Sequence, residues 1–200
     1  LFLLGGLYID GGTGQFNWWR VMTFGVVHGG IIHIAFNCYA MTVLSGTSEV
    51  NLGPKRTLVL ITVSQLGAAF ATWYWYLQLH GESVFTMGAS GWVSGLLGYA
   101  LVYTWSLGPA GARYRSQLVQ WGIYILLFGF FMGANNAAHI GGALAGAVVG
   151  YIQNRPARST KAEDWAWDGA FWACTAIWLC CFAAQALYFA QHIGQFGMTE

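Results

Sequence analysis

The sequence predicts an all-α polytopic membrane protein, and three observations carry that prediction. Only 8% of its 200 residues are charged, where a soluble domain usually carries about a quarter. Hydrophobic residues make up 56% and aromatic ones 17%. Apolar runs long enough to cross a bilayer as helices, about 20 residues each, recur along the chain. So few charges cannot solvate a closed surface, and much of that surface must face lipid. The net charge of +1 points to no nucleic-acid partner, and the length suits one domain or two.

Neither metal nor other cofactor is expected. Cys38, Cys174, Cys180 and Cys181 all lie in apolar runs, match no zinc spacing and make no convincing disulfide framework. They read as small apolar helix residues. The histidines do not cluster like a metal site.

Taken in order, spans are expected over residues 26–44, 58–79, 90–107, 118–132, 137–151 and 165–188. The opening residues 1–9 read as the tail of a further, first span. At the helical rise they would cover about 13 Å, under half of the hydrocarbon core. Together with the lack of an initiator Met, this suggests an incomplete or processed N-terminus. A cleaved signal peptide is the rival reading, but no n-region or cleavage site is visible.

The basic residues orient the spans. Lys55 and Arg56 follow the second span, Arg113 and Arg115 the fourth, and Arg155, Arg158 and Lys161 the sixth. If every span crosses, these fall on one side and only Arg20 on the other, a strong positive-inside signal. The helix ends carrying Ser90 and His139 then face the non-cytoplasmic side.

The last span differs from the others. It follows a polar cytoplasmic connector, residues 154–164, and is rich in Trp, Ala and Cys. Trp165 and Trp167 sit where an interfacial aromatic belt would lie. Asp168 and Gln185, its deeply placed polar residues, read as helix-packing groups. The helix, residues 165–192, looks appended to a core over residues 1–153.

Polar groups within spans are costly, so each needs a reason. His33 and Asn37 are four apart and share a helix face; taken alone, such a pair is a helix–helix hydrogen-bonding device. His28 reads as a brace for the loop entering that helix. Ser90, in Met87-Gly88-Ala89-Ser90-Gly91-Trp92, would by default be a helix N-cap. Its flanking glycines, however, leave room for a close backbone approach. With Trp at position 92 this is not the Gly-x-Ser-x-Gly elbow of soluble hydrolases. His139 opens the sixth span in Asn135-Asn136-Ala137-Ala138-His139. Gly142, Gly146 and Gly150 behind it form small-xxx-small repeats, the signature of close helix contact in lipid. Ser90, Ser94 and Gly98 make a matching face on the fourth span, with Gly91 and Gly95 beside it. Packed together, the two faces would bring Ser90 and His139 to the same depth.

These residues resemble the rhomboid family of intramembrane serine proteases. The matches run in order: Trp19-Arg20, His28 with His33-xxx-Asn37, Glu49-xxx-Gly53, Gly88-Ala89-Ser90-Gly91, and Ala138-His139-xx-Gly142-xxx-Gly146. The resemblance implies a rhomboid-like six-helix core with an additional C-terminal transmembrane helix. It implies a Ser90–His139 dyad with no acidic third member, in which Ser90 attacks a peptide carbonyl and His139 shuttles the proton. The oxyanion would be held by His33, Asn37 and the Ser90 backbone N–H. Trp19-Arg20 would anchor the first loop, Glu49 would tie the loop after the second span, and Gln78 would aid water delivery.

One position departs from the family pattern. Many members carry an aromatic four residues after the nucleophile, stacked on the catalytic histidine; here that residue is Ser94. His139 must then be oriented by other contacts, the Ser94 hydroxyl being one candidate.

The expected function is therefore an intramembrane serine endopeptidase. It would act on transmembrane protein substrates near the non-cytoplasmic face of a membrane, by default the bacterial inner membrane. The alternative is a weak or inactive rhomboid-like subunit that joins a larger membrane assembly through the last helix. Ser94 and the poorly charged final helix favour that alternative; intact Ser90, His139, His33 and Asn37 argue against it. A transporter reading lacks an inverted repeat and an acidic relay.

Overall fold

The computed structural model describes residues 1–154 and 160–195. Arg155 and Arg158, which enter the orientation argument, lie outside them. The chain begins with a short strand, β1 (Leu7–Ile9), and a one-turn helix, α1 (Arg20–Thr23), that runs into a 3₁₀ turn, Phe24–Val26. The long helix α2 (Ile31–Trp73) winds into a π-helical segment, Tyr74–His80, which leads to β2 (Val84–Thr86). Then come α3 (Ser90–Ser106), α4 (Ala112–Met132), α5 (Asn136–Gln153) and α6 (Lys161–His192).

Helix α2 has two arms because Gly53 takes φ 71°, ψ 168° and Pro54 follows it. Glycine reaches that left-handed φ without a Cβ clash, and proline cannot continue the donor ladder. The arms, residues 31–52 and 54–73, overlap the two expected spans, 26–44 and 58–79. The first runs from Ile31 to Leu52, however, and the second begins at Pro54 and passes into the π-helical segment after Trp73. Val27 is extended and Gly30 has φ 164°, which keeps the preceding loop out of the helix.

The helical tail expected over residues 1–9 is not formed. Gly5 takes φ 115°, and Leu7–Ile9 pairs antiparallel with β2, Leu7 opposite Thr86 and Ile9 opposite Val84. Carbonyls that a helix would have used internally end on side chains instead. Arg20 Nη1 donates to Phe2 O (2.7 Å) and Gly6 O (2.8 Å), Thr23 Oγ1 to Gly5 O (2.9 Å), and Gln185 Nε2 to Leu3 O (2.6 Å). This satisfies an irregular apolar segment whose backbone would otherwise be orphaned.

The connector 154–164 is also shorter than expected at its far end. Residues 161–164 are already helical: Thr160 caps α6 by accepting from Glu163 N (3.2 Å). Thr-Lys-Ala-Glu is a capping-box sequence, and Glu163 and Asp164 complement the positive end of the helix dipole.

Helix α3 lies at the centre, against α5, α2 and α4. Its contact with α5 runs through the small residues, but on a slightly rotated face. A Cβ on Gly142 would strike the Gly91 carbonyl, one on Gly146 the Gly95 carbonyl, and one on Gly98 the Ala143 carbonyl. The row Gly91, Gly95 and Gly98 therefore meets α5, rather than Ser90, Ser94 and Gly98. Leu44, Leu60, Val93, Leu96, Leu97 and Val149 are buried around this contact.

The exterior is apolar. Ile31, Phe130, Phe131 and Trp165 are each more than 75% exposed, a distribution that suits hydrocarbon rather than water. Residues 31–80 and α6 are long and apolar enough to cross a membrane by length and composition.

Helix α6 lies along the second arm of α2. Asp168 pairs with Lys55 (2.7 Å) and Asp164 with Arg56 (2.8 Å) at one end, and Trp178 Nε1 donates to Thr62 Oγ1 (2.9 Å) midway. Asp168 and Gln185 thus serve packing, as their positions suggested. Glu49 is exposed on the first arm; Lys55 and Arg56 beyond the kink make the contacts that hold this end together.

Candidate active site

Ser90 is the first residue of α3, and Ala89 is its cap. The serine hydroxyl is therefore not used as an N-cap and remains available. Gly88 presents it: φ is +116° there, and a Cβ would come within 2.6 Å of His33 Nε2. Any other residue would be strained and would push His33 aside.

His139 is placed by the start of α5. Asn135 caps that helix, accepting from Ala138 N (3.0 Å), while its Nδ2 reaches Thr72 Oγ1 (2.8 Å) and Thr86 Oγ1 (3.3 Å). One amide thereby joins α5 to α2 and β2. The glycine contact between α3 and α5 brings Ser90 Oγ to 2.9 Å from His139 Nε2.

The other ring nitrogen contacts Asn136 Oδ1 at 3.1 Å. Asn136 Nδ2 donates to Leu126 O on α4 (3.0 Å), which turns the amide oxygen toward the ring. A carbonyl oxygen only accepts, so His139 Nδ1 carries the proton and Nε2 is left to accept the Ser90 hydroxyl. Gly129 on α4 makes room for this amide, since a Cβ there would collide with Asn136 Oδ1. The sequence reading missed Asn136. The available signal was its position three residues before His139, on the same helix face.

Ser94 does not orient the ring. Its Oγ is buried and makes no hydrogen bond among the described residues; Asn136 takes that part. Asn136 is neutral, so it fixes the tautomer without supplying the full charge that a carboxylate would offer an imidazolium.

His33 lines the cleft beside Ser90. His28 braces the loop, its Nε2 accepting from Ala89 N (3.4 Å) and its ring lying 5.0 Å edge-on from that of His33. Asn37 is buried a turn further along α2 and donates one amide hydrogen to His33 O (2.9 Å); it does not line the cleft. Gln78 is exposed on the π-helical segment and is likewise not a lining residue. Trp19 and Arg20 act at a distance: Trp19 Nε1 donates to Gln185 Oε1 (3.0 Å), and the fully buried Arg20 guanidinium sits 3.6 Å over the Phe2 ring.

The cleft over this pair has a volume of about 840 Å³. The first arm of α2, β2, the end of α4 and the start of α5 wall it. Among the described residues, no three His, Cys, Asp or Glu side chains come together as metal ligands.

A helical bundle that sets a serine hydroxyl on an oriented histidine at the floor of a cleft has the form of a serine hydrolase site. Residues 15–156 match the family profile described as Rhomboid domain, and the chain belongs to the rhomboid family. It is similar to the rhomboid protease AarA of Providencia stuartii, 29% identical over 154 residues, covering 66% of this chain and 55% of that protein. It is also similar to the rhomboid protease GlpG of Photorhabdus laumondii, 31% identical over 146 residues and covering 68% and 48% respectively. A third relative is the rhomboid protease GlpG of Yersinia pestis, 30% identical over 151 residues, with 71% and 50% covered. The chain spans about half the length of these relatives.

Proposed function

We propose that the chain is an intramembrane serine endopeptidase that cuts transmembrane protein substrates. The observation that carries this reading is the 2.9 Å contact of Ser90 Oγ with His139 Nε2, in a ring whose tautomer Asn136 sets. The relatives named rhomboid proteases support it.

Ser90 Oγ attacks the scissile carbonyl carbon as its proton passes to His139 Nε2. The carbonyl oxygen becomes an oxyanion beside the first-turn N–H groups of α3, which have no partner within their own helix. The Ser90 N–H and the His33 side chain are its donors in the cleft. Asn37, which the family resemblance adds to the set, lies a turn behind His33 and would have to turn its amide forward to reach it. His139 then returns the proton to the leaving nitrogen, the C–N bond breaks, and an acyl-serine remains. Water, deprotonated by the same histidine, releases the second product.

The distribution of basic residues supports an orientation with the α3 and α5 N-termini on the non-cytoplasmic side. The length and apolar composition of α6 support reading it as a span added to the rhomboid core. The bacterial inner membrane is the location that this orientation and the bacterial relatives support. A cysteine at Ala110, with the four native cysteines replaced, is then shielded from impermeant reagents added outside.

Labelling by a fluorophosphonate in detergent tests the activity. Covalent labelling that disappears in Ser90→Ala and in His139→Ala is the expected result. Wild-type protein left unlabelled under conditions that label an active rhomboid would refute the proposal.

A further inference from the structure

The wall of the cleft is supported from outside the family domain. β2 contributes Val84, Phe85 and Thr86 to that wall, and its far edge is held by β1. β1 in turn hangs from the opening residues, whose carbonyls are captured by Arg20, Thr23 and Gln185. Of these, Gln185 stands on α6, beyond residues 15–156 that match the family profile. Its amide is used at both ends: Oε1 accepts from Trp19 Nε1 (3.0 Å) and Nε2 donates to Leu3 O (2.6 Å). Tyr188, three residues on and on the same face, lies 4.9 Å from the Arg20 guanidinium and 6.3 Å from the Phe2 ring.

We propose that α6 positions the substrate-facing wall of the cleft, with Gln185 as the positioning residue. The inference rests on the protease reading for its kinetic consequence but not for its structural one. Gln185 touches neither Ser90 nor His139, so it affects how an extended substrate segment is received against β2, not the proton transfer. A leucine at 185 keeps the bulk, removes both hydrogen bonds, and leaves the Leu3 carbonyl and the Trp19 N–H unpaired in an apolar setting.

The test uses the full chain in detergent. In Gln185→Leu, the amides of β1 and β2 exchange with deuterium about tenfold faster, the effect of losing one or two buried hydrogen bonds, while those of α3 and α5 keep their rates. KM for a transmembrane substrate rises by a similar factor, whereas kcat and the rate of fluorophosphonate labelling stay as in wild type. Unchanged strand exchange overturns the proposal, as does a loss that falls on kcat and labelling. If Gln185→Leu loosens α3 and α5 as well, Trp19→Phe decides. That variant removes one of the two bonds, so selective loosening of the strands supports the proposal and none overturns it. Wild type that takes no probe refutes the protease reading and with it the kinetic half; the exchange rates then still report whether α6 holds the wall.

Discussion

Asn136 presents its amide oxygen to His139 Nδ1 at 3.1 Å while its amide nitrogen donates to the Leu126 carbonyl at 3.0 Å. The second bond gives the first its meaning, because it settles which end of the amide faces the ring. On the protease reading, Asn136→Ala frees the imidazole to rotate or change tautomer. Turnover and labelling then fall by about 10- to 100-fold, a part of what general-base catalysis contributes. Gly129→Ala reaches the same amide from α4 and lowers the rate less. Single-turnover acylation measures both, and a wild-type rate in Asn136→Ala removes the residue from the mechanism.

His33 and Asn37 separate by position. His33 lines the cleft; Asn37 lies behind it with one amide hydrogen already engaged. His33→Ala is expected to cost about 10²–10³ in turnover, the usual loss for an oxyanion donor. Asn37→Ala costs less and leaves folding intact. Turnover assays on both variants check the order; equal turnover in wild type and Asn37→Ala takes Asn37 out of the oxyanion set.

The contact of α3 with α5 has no room for one more methyl group. A Cβ on Gly146 would meet the Gly95 backbone, which cannot swing away as a side chain can. Gly146→Ala should therefore destabilise the protein by about 1–3 kcal/mol. Gly169→Ala on α6, with nothing within 4 Å of its Cβ position, should be neutral or stabilising by up to about 1 kcal/mol. Thermal unfolding in detergent compares the pair, and equal shifts would contradict the packing argument.

The turn after β1 carries a pH dependence of its own. Asp10 accepts from Thr13 N (2.8 Å), Thr13 Oγ1 (2.9 Å) and Gly12 N (3.0 Å). The Thr13 N–H above all, then the Thr13 hydroxyl, holds its carboxyl below the usual carboxylate value. A depressed folded value means that the turn gains stability above the unfolded carboxylate pKa. The gain is lost as pH falls through the lower folded one. Amide exchange at Gly12 and Thr13, corrected for its intrinsic pH dependence, should accelerate in acid, and Asp10→Asn should flatten the profile.

Much of the architecture was legible because membrane hydropathy is a local property. Long apolar runs are spans whatever they pack against, so residues 90–107 and 137–151 correspond closely to α3 and α5. The nearness of Ser90 and His139 was legible too, since glycines four apart announce a close helix contact. The capping box at Thr160 was readable but hidden by the charges that made its surroundings look like a connector.

The rest depended on partners far along the chain. Asn136 acquires its part only when α4 brings the Leu126 carbonyl and a bare Gly129 against it. Ser94 looked suited to orient His139 until the rotation of α3 about its glycine row buried its hydroxyl without a partner among the described residues. The opening residues are apolar enough to read as a span, yet their carbonyls are claimed by Arg20 and by Gln185, the latter separated from Leu3 by 182 positions. Composition and periodicity specify which faces are apolar, and hence the spans, their order and the helix contact that joins Ser90 to His139. Which donor meets which acceptor is a matter of distances below about 3.5 Å, and those arise only when helices distant in sequence come to rest against one another.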